Sequence, residues 1–201
     1  TGEITDKNGV KSSVFQVYVP KEKILQGLDK DLVAKEVQKT SVEDVRGPNI
    51  QVGSLNEITV NNHTGTTYAA KVYINGVHFE SFRGDGLCIS TPTGSTAYNK
   101  SLGGAVIHPQ SAVYQVTEIA ALNNLVYRTL GNSLILSEDD ELTIKPINAD
   151  NHRISVDHLH FNYETISKLQ ITLAKDRKIS FIRYNDDSFW QRVKRSFISN
   201  D

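Results

Sequence analysis

The sequence contains 201 residues, of which 38% are hydrophobic and 22% are charged, and its formal net charge is −1. This length suits one large domain, or one domain with a small appendage. The near-neutral charge provides no overall field that would attract nucleic acid or an anionic membrane. No apolar stretch has the length of a membrane span, and the N-terminus lacks the pattern of a secretion signal. We therefore expect neither nucleic acid nor a membrane among the partners.

The sulfur-containing residues indicate a reducing environment. Cys88 is the single cysteine, which excludes an internal disulfide and favours a cytoplasmic location. It lies in the apolar run Leu87-Cys88-Ile89, so we predict a small buried side chain rather than a nucleophile. The sequence contains no methionine, and we expect it to be a trimmed, fragmentary or rebuilt chain.

Two elements are predicted before residue 50. Residues 1–19 alternate weakly in hydrophobicity, with a turn at Asn8-Gly9 and a strand over residues 14–19. From Pro20 to about Lys39, apolar residues recur at helical spacing, which predicts an amphipathic helix. These apolar residues are Ile24, Leu25, Leu28, Leu32, Val33 and Val37. We assign residues 1–49 to this N-terminal hairpin and helix, and residues 50–201 to a β-rich domain.

From residue 50 onwards, short runs of apolar and β-branched residues alternate with turn residues. The predicted strands span residues 55–60, 68–74, 77–82, 86–90, 113–116, 133–136, 141–144, 153–156, 169–173 and 179–184. Asn75-Gly76 is typical of a tight hairpin turn, and a helix is predicted over residues 188–198. The pattern predicts a mostly β, sandwich-like fold with a few short helices, α+β overall.

Residues 82–101 carry most of the functional information. Glycines bracket Asp85 on both sides, which predicts a backbone conformation closed to other residues. After a Thr-Pro-Thr-Gly break, Ser95 and Thr96 are placed to begin a helix whose free N–H groups could meet a polar ligand. A turn followed by a capped helix is an equally good interpretation. The segment is not a Walker A loop, a Gly-x-Gly-x-x-Gly fingerprint or a Gly-x-Ser-x-Gly elbow.

Several motifs resemble those of NAD kinases, in the style of the Gram-positive bacterial members. The strongest are Asp85-Gly86-Leu87, the run Ser90-Thr91-Pro92-Thr93-Gly94-Ser95-Thr96-Ala97-Tyr98, and Gly103-Gly104-Ala105. Further likenesses are Leu55-Asn56-Glu57, Asn123-Asn124 with Arg128, Val156-Asp157-His158 and Ser188-Phe189-Trp190. The nine-residue run is highly specific, and the resemblance covers about residues 50–201.

The resemblance implies an enzyme that transfers a phosphoryl group to the 2′-hydroxyl of the adenosine ribose of NAD, giving NADP. The donor would be ATP or polyphosphate, and Mg²⁺ would arrive with ATP rather than in a dedicated metal site. The resemblance also implies an NAD site formed by Asn56, Glu57, Asp85, Thr93, Thr96, Ala97, Tyr98, Ser101, Asp157 and His158. A homotetramer is typical of the family, so we expect a homo-oligomer.

The chemistry of these residue types suits a dinucleotide. Asn56 offers both a donor and an acceptor to ribose hydroxyls. Glu57 and Asp85 can accept hydrogen bonds from ribose or amide groups, and Asp157 from an adenine amino group or a ribose hydroxyl. Tyr98 supplies an aromatic face for a base together with a polar hydroxyl.

One family motif is absent from the sequence. NAD kinases place their catalytic aspartate in a Gly-Gly-Asp-Gly motif of an N-terminal α/β domain, and this sequence contains no such motif. Arg83-Gly84-Asp85-Gly86 belongs to the C-terminal domain and is not its equivalent. Phosphoryl transfer depends on positioned phosphates and an oriented nucleophile, so we expect little or no turnover from the chain alone. The alternative is a non-catalytic NAD(P)-binding or oligomerisation module.

A histidine cluster late in the sequence is a candidate metal site. His152, His158 and His160 lie near Asp157 in the sequence. On a continuous strand, the last two histidines would face one side and the aspartate the other, which leaves the ligand set incomplete. We predict no metal site.

Overall fold

The structure is a computed structural model that describes residues 2–5, 11–14, 33–43, 50–147, 151–163, 166–181 and 188–199. Within these residues, the chain forms two six-stranded antiparallel sheets, a separate two-stranded sheet and a few short helices. The predicted mostly β, α+β fold is therefore confirmed. In the described part of the chain, no helix is long and apolar enough to cross a membrane.

The strands follow one another along the chain with short connections. They are β1 (Gly2–Thr5), β2 (Lys11–Val14), β3 (Val33–Glu43), β4 (Ile50–Ser54), β5 (Glu57–Asn62), β6 (Tyr68–Ile74), β7 (Val77–Gly84), β8 (Gly86–Ser90), β9 (Val113–Ile119), β10 (Leu134–Ser137), β11 (Leu142–Pro146), β12 (His152–Val156), β13 (Leu159–Tyr163) and β14 (Lys168–Phe181). The first sheet has the order β4-β3-β14-β11-β6-β7, and the second has the order β10-β9-β8-β5-β12-β13. The helices are a 3-10 turn (Gly94–Thr96), α1 (Tyr98–Ser101) and α2 (Phe189–Phe197).

A single buried apolar cluster draws on both large sheets. Ile58 and Ile89 of the second sheet and Ile144 and Ile171 of the first are all fully buried within it. The phenolic hydroxyl of Tyr114, on β9, donates to the carbonyl oxygen of Ile171 on β14 at 3.5 Å. Burying one such isoleucine side chain stabilises a fold by about 1.5–3 kcal/mol. The shared core makes the two sheets a sandwich.

Two of the links between the sheets are very short. Leu55-Asn56 joins β4 to β5, and Asp85 alone joins β7 to β8. The glycines beside Asp85 do not have positive φ angles, so the prediction of a special backbone conformation there is wrong. A Cβ at Gly86 would instead lie 2.4 Å from the carbonyl oxygen of Val60. Glycine is required at this position because the two strands approach closely.

Local turn signals predicted the hairpins well. Asn75 and Gly76 have φ angles of 51° and 78° and connect β6 to β7. The predicted bounds of the strands at residues 68–74 and 86–90 are those observed. At the N-terminus, β1 pairs with β2 in antiparallel register. The predicted Asn8-Gly9 turn, and all but the first residue of the strand predicted over residues 14–19, lie outside the described residues.

The amphipathic helix predicted up to Lys39 is wrong over its last residues, because Val33–Glu43 is a strand. Val33 and Val37 are four residues apart, and a spacing of four places residues on one face of a helix and also on one face of a strand. The pairing of β3 with β14 and with β4 decides between the two. The earlier part of the predicted helix lies outside the described residues.

Two further expectations differ from the structure. The strands predicted over 169–173 and 179–184 are one strand, β14, which crosses the intervening polar residues with a register shift between Ala174 and Lys178. Asp157 and His158 form the two-residue turn between β12 and β13, because Val156 pairs directly with the residue after them. The strand alternation assumed for residues 157–160 is therefore wrong.

The C-terminal helix α2 confirms the helix predicted over residues 188–198. Ser188 caps it, because its hydroxyl accepts from the N–H of Gln191 and the Gln191 side chain accepts in return from the N–H of Ser188. Phe189 contacts His108 edge-on, with ring centroids 5.2 Å apart. The Lys100 ammonium lies 4.4 Å from the ring centroid of Phe197. The helix therefore packs beside α1 and the loop after it.

The shared core generates a stability prediction with a matched control. Replacing Ile89, which is fully buried on β8, by alanine removes apolar contacts and leaves a cavity. The free energy of unfolding should fall by about 2–5 kcal/mol. Ile135 on β10 is 51% exposed, so Ile135→Ala should change it by less than about 0.5 kcal/mol. Urea unfolding followed by circular dichroism measures both, and equal losses would contradict the packing described.

Candidate functional site

The link between β4 and β5, Leu55-Asn56, makes hydrogen bonds to other segments on both of its sides. One carboxylate oxygen of Asp157 accepts from the N–H groups of Asn56 at 2.8 Å and Glu57 at 3.2 Å, and the other accepts from Leu55 at 2.9 Å. From the other side, the Thr91 hydroxyl donates to the carbonyl of Leu55 at 2.6 Å. The N–H of Thr91 donates to the carbonyl of Asn56 at 2.9 Å. The link is thereby joined to β8 and to the β12–β13 turn.

The turn after β8 packs directly on this link. The N–H of Gly94 donates to the Thr91 hydroxyl at 3.0 Å. A Cβ at Gly94 would lie 1.9 Å from the carbonyl oxygen of Asn56, a distance that no side chain tolerates. The glycine of the Thr-Pro-Thr-Gly break is therefore needed for close approach between the two segments.

The hydroxyls expected to cap a helix in this turn have other partners. Residues 94–96 form a 3-10 turn without a side-chain cap, so the capping prediction is wrong. The Ser95 hydroxyl donates to the carbonyl of Pro92 at 2.6 Å and accepts from the N–H of Ile107 at 3.0 Å. It thus fastens the turn to the loop that follows α1.

Two buried amide side chains hold α1 and that loop in place. Asn99 of α1 accepts from the hydroxyl of Thr117 on β9 at 2.7 Å. Gln115, also on β9, accepts from the N–H of Ala105 at 2.8 Å and donates to its carbonyl at 3.1 Å. A Cβ at Gly104 would lie 2.3 Å from the Asn99 amide, so the second glycine of Gly-Gly-Ala makes room for that side chain.

Acidic and phenolic groups surround Glu57. Burial, with a smaller contribution from the negative charge of Asp157, raises the pKa of Glu57 to about 7. Burial raises the pKa of the Cys88 thiol to about 12, and the charge of Glu57 adds to the effect. The pKa of Tyr98 is raised by burial and then by Cys88, Glu57 and Asp85. We call Glu57, Asp85, Cys88, Tyr98 and Asp157 the acidic cluster.

One atom of the acidic cluster has no partner. The Oε2 atom of Glu57 is buried and makes no hydrogen bond to any described residue. Leaving a buried acceptor unsatisfied costs about 1–3 kcal/mol. A proton, or a ligand that donates a hydrogen bond, would remove that cost.

The structure brings some predicted site residues together and leaves others with local contacts. Asn56, Glu57 and Asp157 meet at the β4–β5 link, and Tyr98 lies near Glu57. Asp85 precedes β8, whose other end pairs with Glu57 through Ser90, so Asp85 lies near Tyr98 but away from the link. The hydroxyls of Thr96 and Ser101 donate to carbonyls three residues earlier, from Thr96 to Thr93 at 3.4 Å and from Ser101 to Tyr98 at 2.7 Å. Ala97 and His158 are both exposed.

Two residues of this site were missed as functional residues. Cys88 was predicted to be buried, which is confirmed, but its position beside Glu57 was not foreseen. In the sequence, Thr91 stands out only as part of the nine-residue run at residues 90–98. Its hydroxyl donates to the carbonyl of Leu55, 36 residues earlier. A buried threonine at the end of a strand is typical of ordinary packing, so no local signal could have identified its role.

The site offers hydrogen-bond acceptors rather than metal ligands. Among the residues that the structure describes, no group of three or more His, Cys, Asp or Glu side chains could hold a metal ion. Asp85 is exposed, and Tyr98 is 45% exposed and presents an aromatic face. The arrangement suits a ligand with hydroxyl or amino donors and a planar ring.

The fold is a β-sandwich domain that carries a candidate site for a polar, ring-containing ligand. Residues 55–183 match the family model of the ATP-NAD kinase C-terminal domain. The chain belongs to this family.

Individual relatives agree with this assignment. The NAD kinases of Staphylococcus aureus strains JH9 and Newman are 47% identical to the chain over 148 residues, which cover 74% of this chain and 55% of each relative. The chain thus spans about half the length of the curated relatives it matches.

Solved structures share the fold. Yeast NADH kinase complexed with NADH has a TM-score of 0.73 at 20% identity, covering 85% of this chain and 50% of the other. An NAD kinase from Archaeoglobus fulgidus in complex with ATP has a TM-score of 0.60 at 18% identity, covering 76% and 55%.

The raised pKa of Glu57 generates a prediction about stability and pH. Well below pH 4.5, the ordinary pKa of a glutamate, the Glu57 carboxyl is protonated in both the folded and the unfolded protein. Its burial therefore does not make the stability depend on pH in that range. As the pH rises towards 7, the unfolded state ionises first and wild-type stability falls relative to Glu57→Gln. The variant should gain about 1–2 kcal/mol on the wild type between pH 5 and pH 8, a figure reduced for solvent screening. Urea unfolding measures the difference, and a pH-independent difference would contradict the site described.

Proposed function

We propose that this chain is the NAD-binding part of an NAD kinase, an enzyme that phosphorylates the 2′-hydroxyl of the adenosine ribose of NAD to give NADP. The observation that carries the proposal is the unpartnered, buried Oε2 atom of Glu57 within the acidic cluster. It lies in the part of the chain that belongs to the ATP-NAD kinase C-terminal domain family.

The chemistry of the acidic cluster matches the nucleoside part of NAD. Ribose hydroxyls and the adenine amino group are donors, and the carboxylates of Glu57 and Asp85 are acceptors. Tyr98 offers a ring on which a base can stack. Phosphates are anions and gain nothing from a group of carboxylates, so the pyrophosphate would lie away from this cluster.

We propose the NAD site that the motifs imply, of which Glu57, Asp85, Tyr98 and Asp157 also belong to the acidic cluster. Its members are Asn56, Glu57, Asp85, Thr93, Thr96, Ala97, Tyr98, Ser101, Asp157 and His158, with Asp157 included through its bonds to the backbone of Asn56 and Glu57. The relatives' names and titles support the ligands, since one solved neighbour is complexed with NADH and another with ATP. The proposed donor is ATP with Mg²⁺, or polyphosphate, and the proposed location is the cytoplasm.

Catalysis is proposed to need more than this chain. The sequence lacks the Gly-Gly-Asp-Gly motif to which the resemblance assigns the catalytic aspartate. Positioned phosphates and an oriented nucleophile account for most of phosphoryl-transfer catalysis. We therefore propose that the chain alone binds NAD and that turnover requires an α/β domain that carries the Gly-Gly-Asp-Gly motif.

An exposed apolar surface supports a homo-oligomer as part of the proposal. Leu125 is 92% exposed and Val126 is 80% exposed, in a loop where Leu122 and Leu130 are also largely exposed. Monomeric proteins rarely expose a contiguous apolar surface of any size without a use for it. An oligomerisation module without NAD binding remains the competing function, and ligand titration separates the two.

Calorimetric titration with NAD tests the binding proposal. We expect saturable heat from the wild type, and Tyr98→Ala should bind about tenfold more weakly because the stacking ring is lost. Tyr73→Ala is the matched control, since Tyr73 lies on β6 in the other sheet, in edge-on contact with His78, and the affinity of this variant for NAD should be unchanged. No heat at millimolar NAD would contradict the proposal and leave the oligomerisation module.

Turnover is tested separately by following NADP formation from NAD, ATP and magnesium. We expect little or none from the chain alone, because the sequence contains no Gly-Gly-Asp-Gly motif. Measurable turnover that is lost in Asp85→Asn would show instead that this chain carries the catalytic base.

A further inference from the structure

Thr91 occupies a position from which it cannot reach a bound ligand. It lies just after β8, and its exposed fraction is 0%. Its hydroxyl donates to the carbonyl of Leu55 and accepts from the N–H of Gly94. One buried hydroxyl thus joins the β4–β5 link to the turn that precedes α1.

Asp157 holds the same link from the opposite side. Its φ angle is 51°, in the two-residue turn whose ends are fixed by the pairing of β12 with β13. A carboxylate has about four acceptor positions, and the N–H groups of the link occupy three of them. The N–H of Asp157 also donates to the carbonyl of Glu57 at 3.0 Å.

Together Thr91 and Asp157 bond every backbone polar group of the link and of Glu57, the residue after it. The three N–H groups and three carbonyls of Leu55, Asn56 and Glu57 all bond to Thr91 or Asp157. A backbone with every polar group bonded has little freedom to move. The side chains of Asn56 and Glu57 therefore begin from fixed positions.

We propose that Thr91 and Asp157 are positioning residues, which fix the backbone of residues 55–57 and act on NAD through Asn56 and Glu57 without touching the nucleotide. The inference rests on the proposed function, because it specifies how the same site is organised. It differs from the expectation that Asp157 accepts a hydrogen bond from adenine or ribose, since three of the roughly four acceptor positions of its carboxylate are taken by the link.

The pKa of Glu57 depends on the groups around it, so its titration reports whether residues 55–57 keep their positions. The groups that face it are Asp157 from the β12–β13 turn, Cys88 from β8 and Tyr98 from α1, with Asp85 close to Tyr98. If the link moves away from its partners, Glu57 meets more water and less negative charge. Its titration midpoint should then fall from about 7 towards the ordinary 4.5.

Thr91 variants provide the first test. Thr91→Val keeps the shape but removes the hydroxyl, and should weaken NAD binding about tenfold or more. Thr91→Ser keeps the hydroxyl and should retain affinity within about threefold. Thr143→Val is the matched control, because Thr143 is a buried threonine on β11 in the other sheet, and its affinity should equal that of the wild type.

Asp157→Asn provides the second test. The amide keeps the size of the side chain but replaces one acceptor oxygen by a donor, which opposes an N–H of the link. NAD affinity should fall and exchange of the Asn56 and Glu57 amide hydrogens should become faster, and amide exchange is the deciding readout here because loss of the Asp157 charge lowers the Glu57 midpoint by itself. The Glu57 midpoint reports movement of the link in Thr91→Val, where no charge changes. Amide exchange and the carboxyl titration are followed by NMR without ligand, with circular dichroism as the check on folding.

Each result bears on the inference. Equal losses of affinity in Thr91→Ser and Thr91→Val would contradict it, because the methyl group and not the hydroxyl would then matter. Lost affinity in Asp157→Asn with unchanged amide exchange would show direct contact with NAD and would also contradict it, as would an unchanged Glu57 midpoint in Thr91→Val. A wild type that does not bind NAD would refute the proposed function alone, since the ligand-free exchange and titration still decide whether the two residues fix the link.

Discussion

The carboxylate of Asp157, bonded to three consecutive backbone N–H groups, is the interaction on which the rest of the site depends. Hydrogen bonds to a charged group contribute about 1.5–3 kcal/mol each, so this single side chain strongly favours one conformation of the β4–β5 link. The link in turn forms one wall against which the glycine-rich turn packs, because the Gly94 backbone lies on the carbonyl of Asn56. A change in the conformation of any one of these segments must therefore shift the positions of the others.

The same arrangement explains why an acidic cluster persists in a stable domain. Asp157 is satisfied by the backbone, whereas Glu57 has a buried oxygen without a partner among the described residues. The fold thereby retains an acceptor that a proton or a donor group of a ligand can satisfy. Sites of recognition commonly retain such unfavourable groups, and the stability comes from elsewhere, here from the core shared by the two sheets.

Local signals predicted the parts of the fold that are decided locally. Asn75-Gly76 identified a hairpin, and the specific run at residues 90–98 identified the segment at the centre of the site. The β3 strand was mistaken for a helix because its valine spacing fits both periods, and only its pairing with distant strands decides. Likewise, the bonds from Thr91 and Asp157 to Leu55 span 36 and 102 residues. No local pattern encodes contacts of that range, so the candidate residues were predicted but not their roles.

We propose above all that NAD lies beside Glu57 and Tyr98, where the β4–β5 link meets the turn after β8. The most direct measurement is the change in backbone amide chemical shifts when the ¹⁵N-labelled chain is titrated with NAD. We expect the largest changes at Asn56, Glu57 and Tyr98, with small changes on the outer strand β10. Saturable changes confined to the apolar loop at residues 122–130, with none at the link, would contradict it.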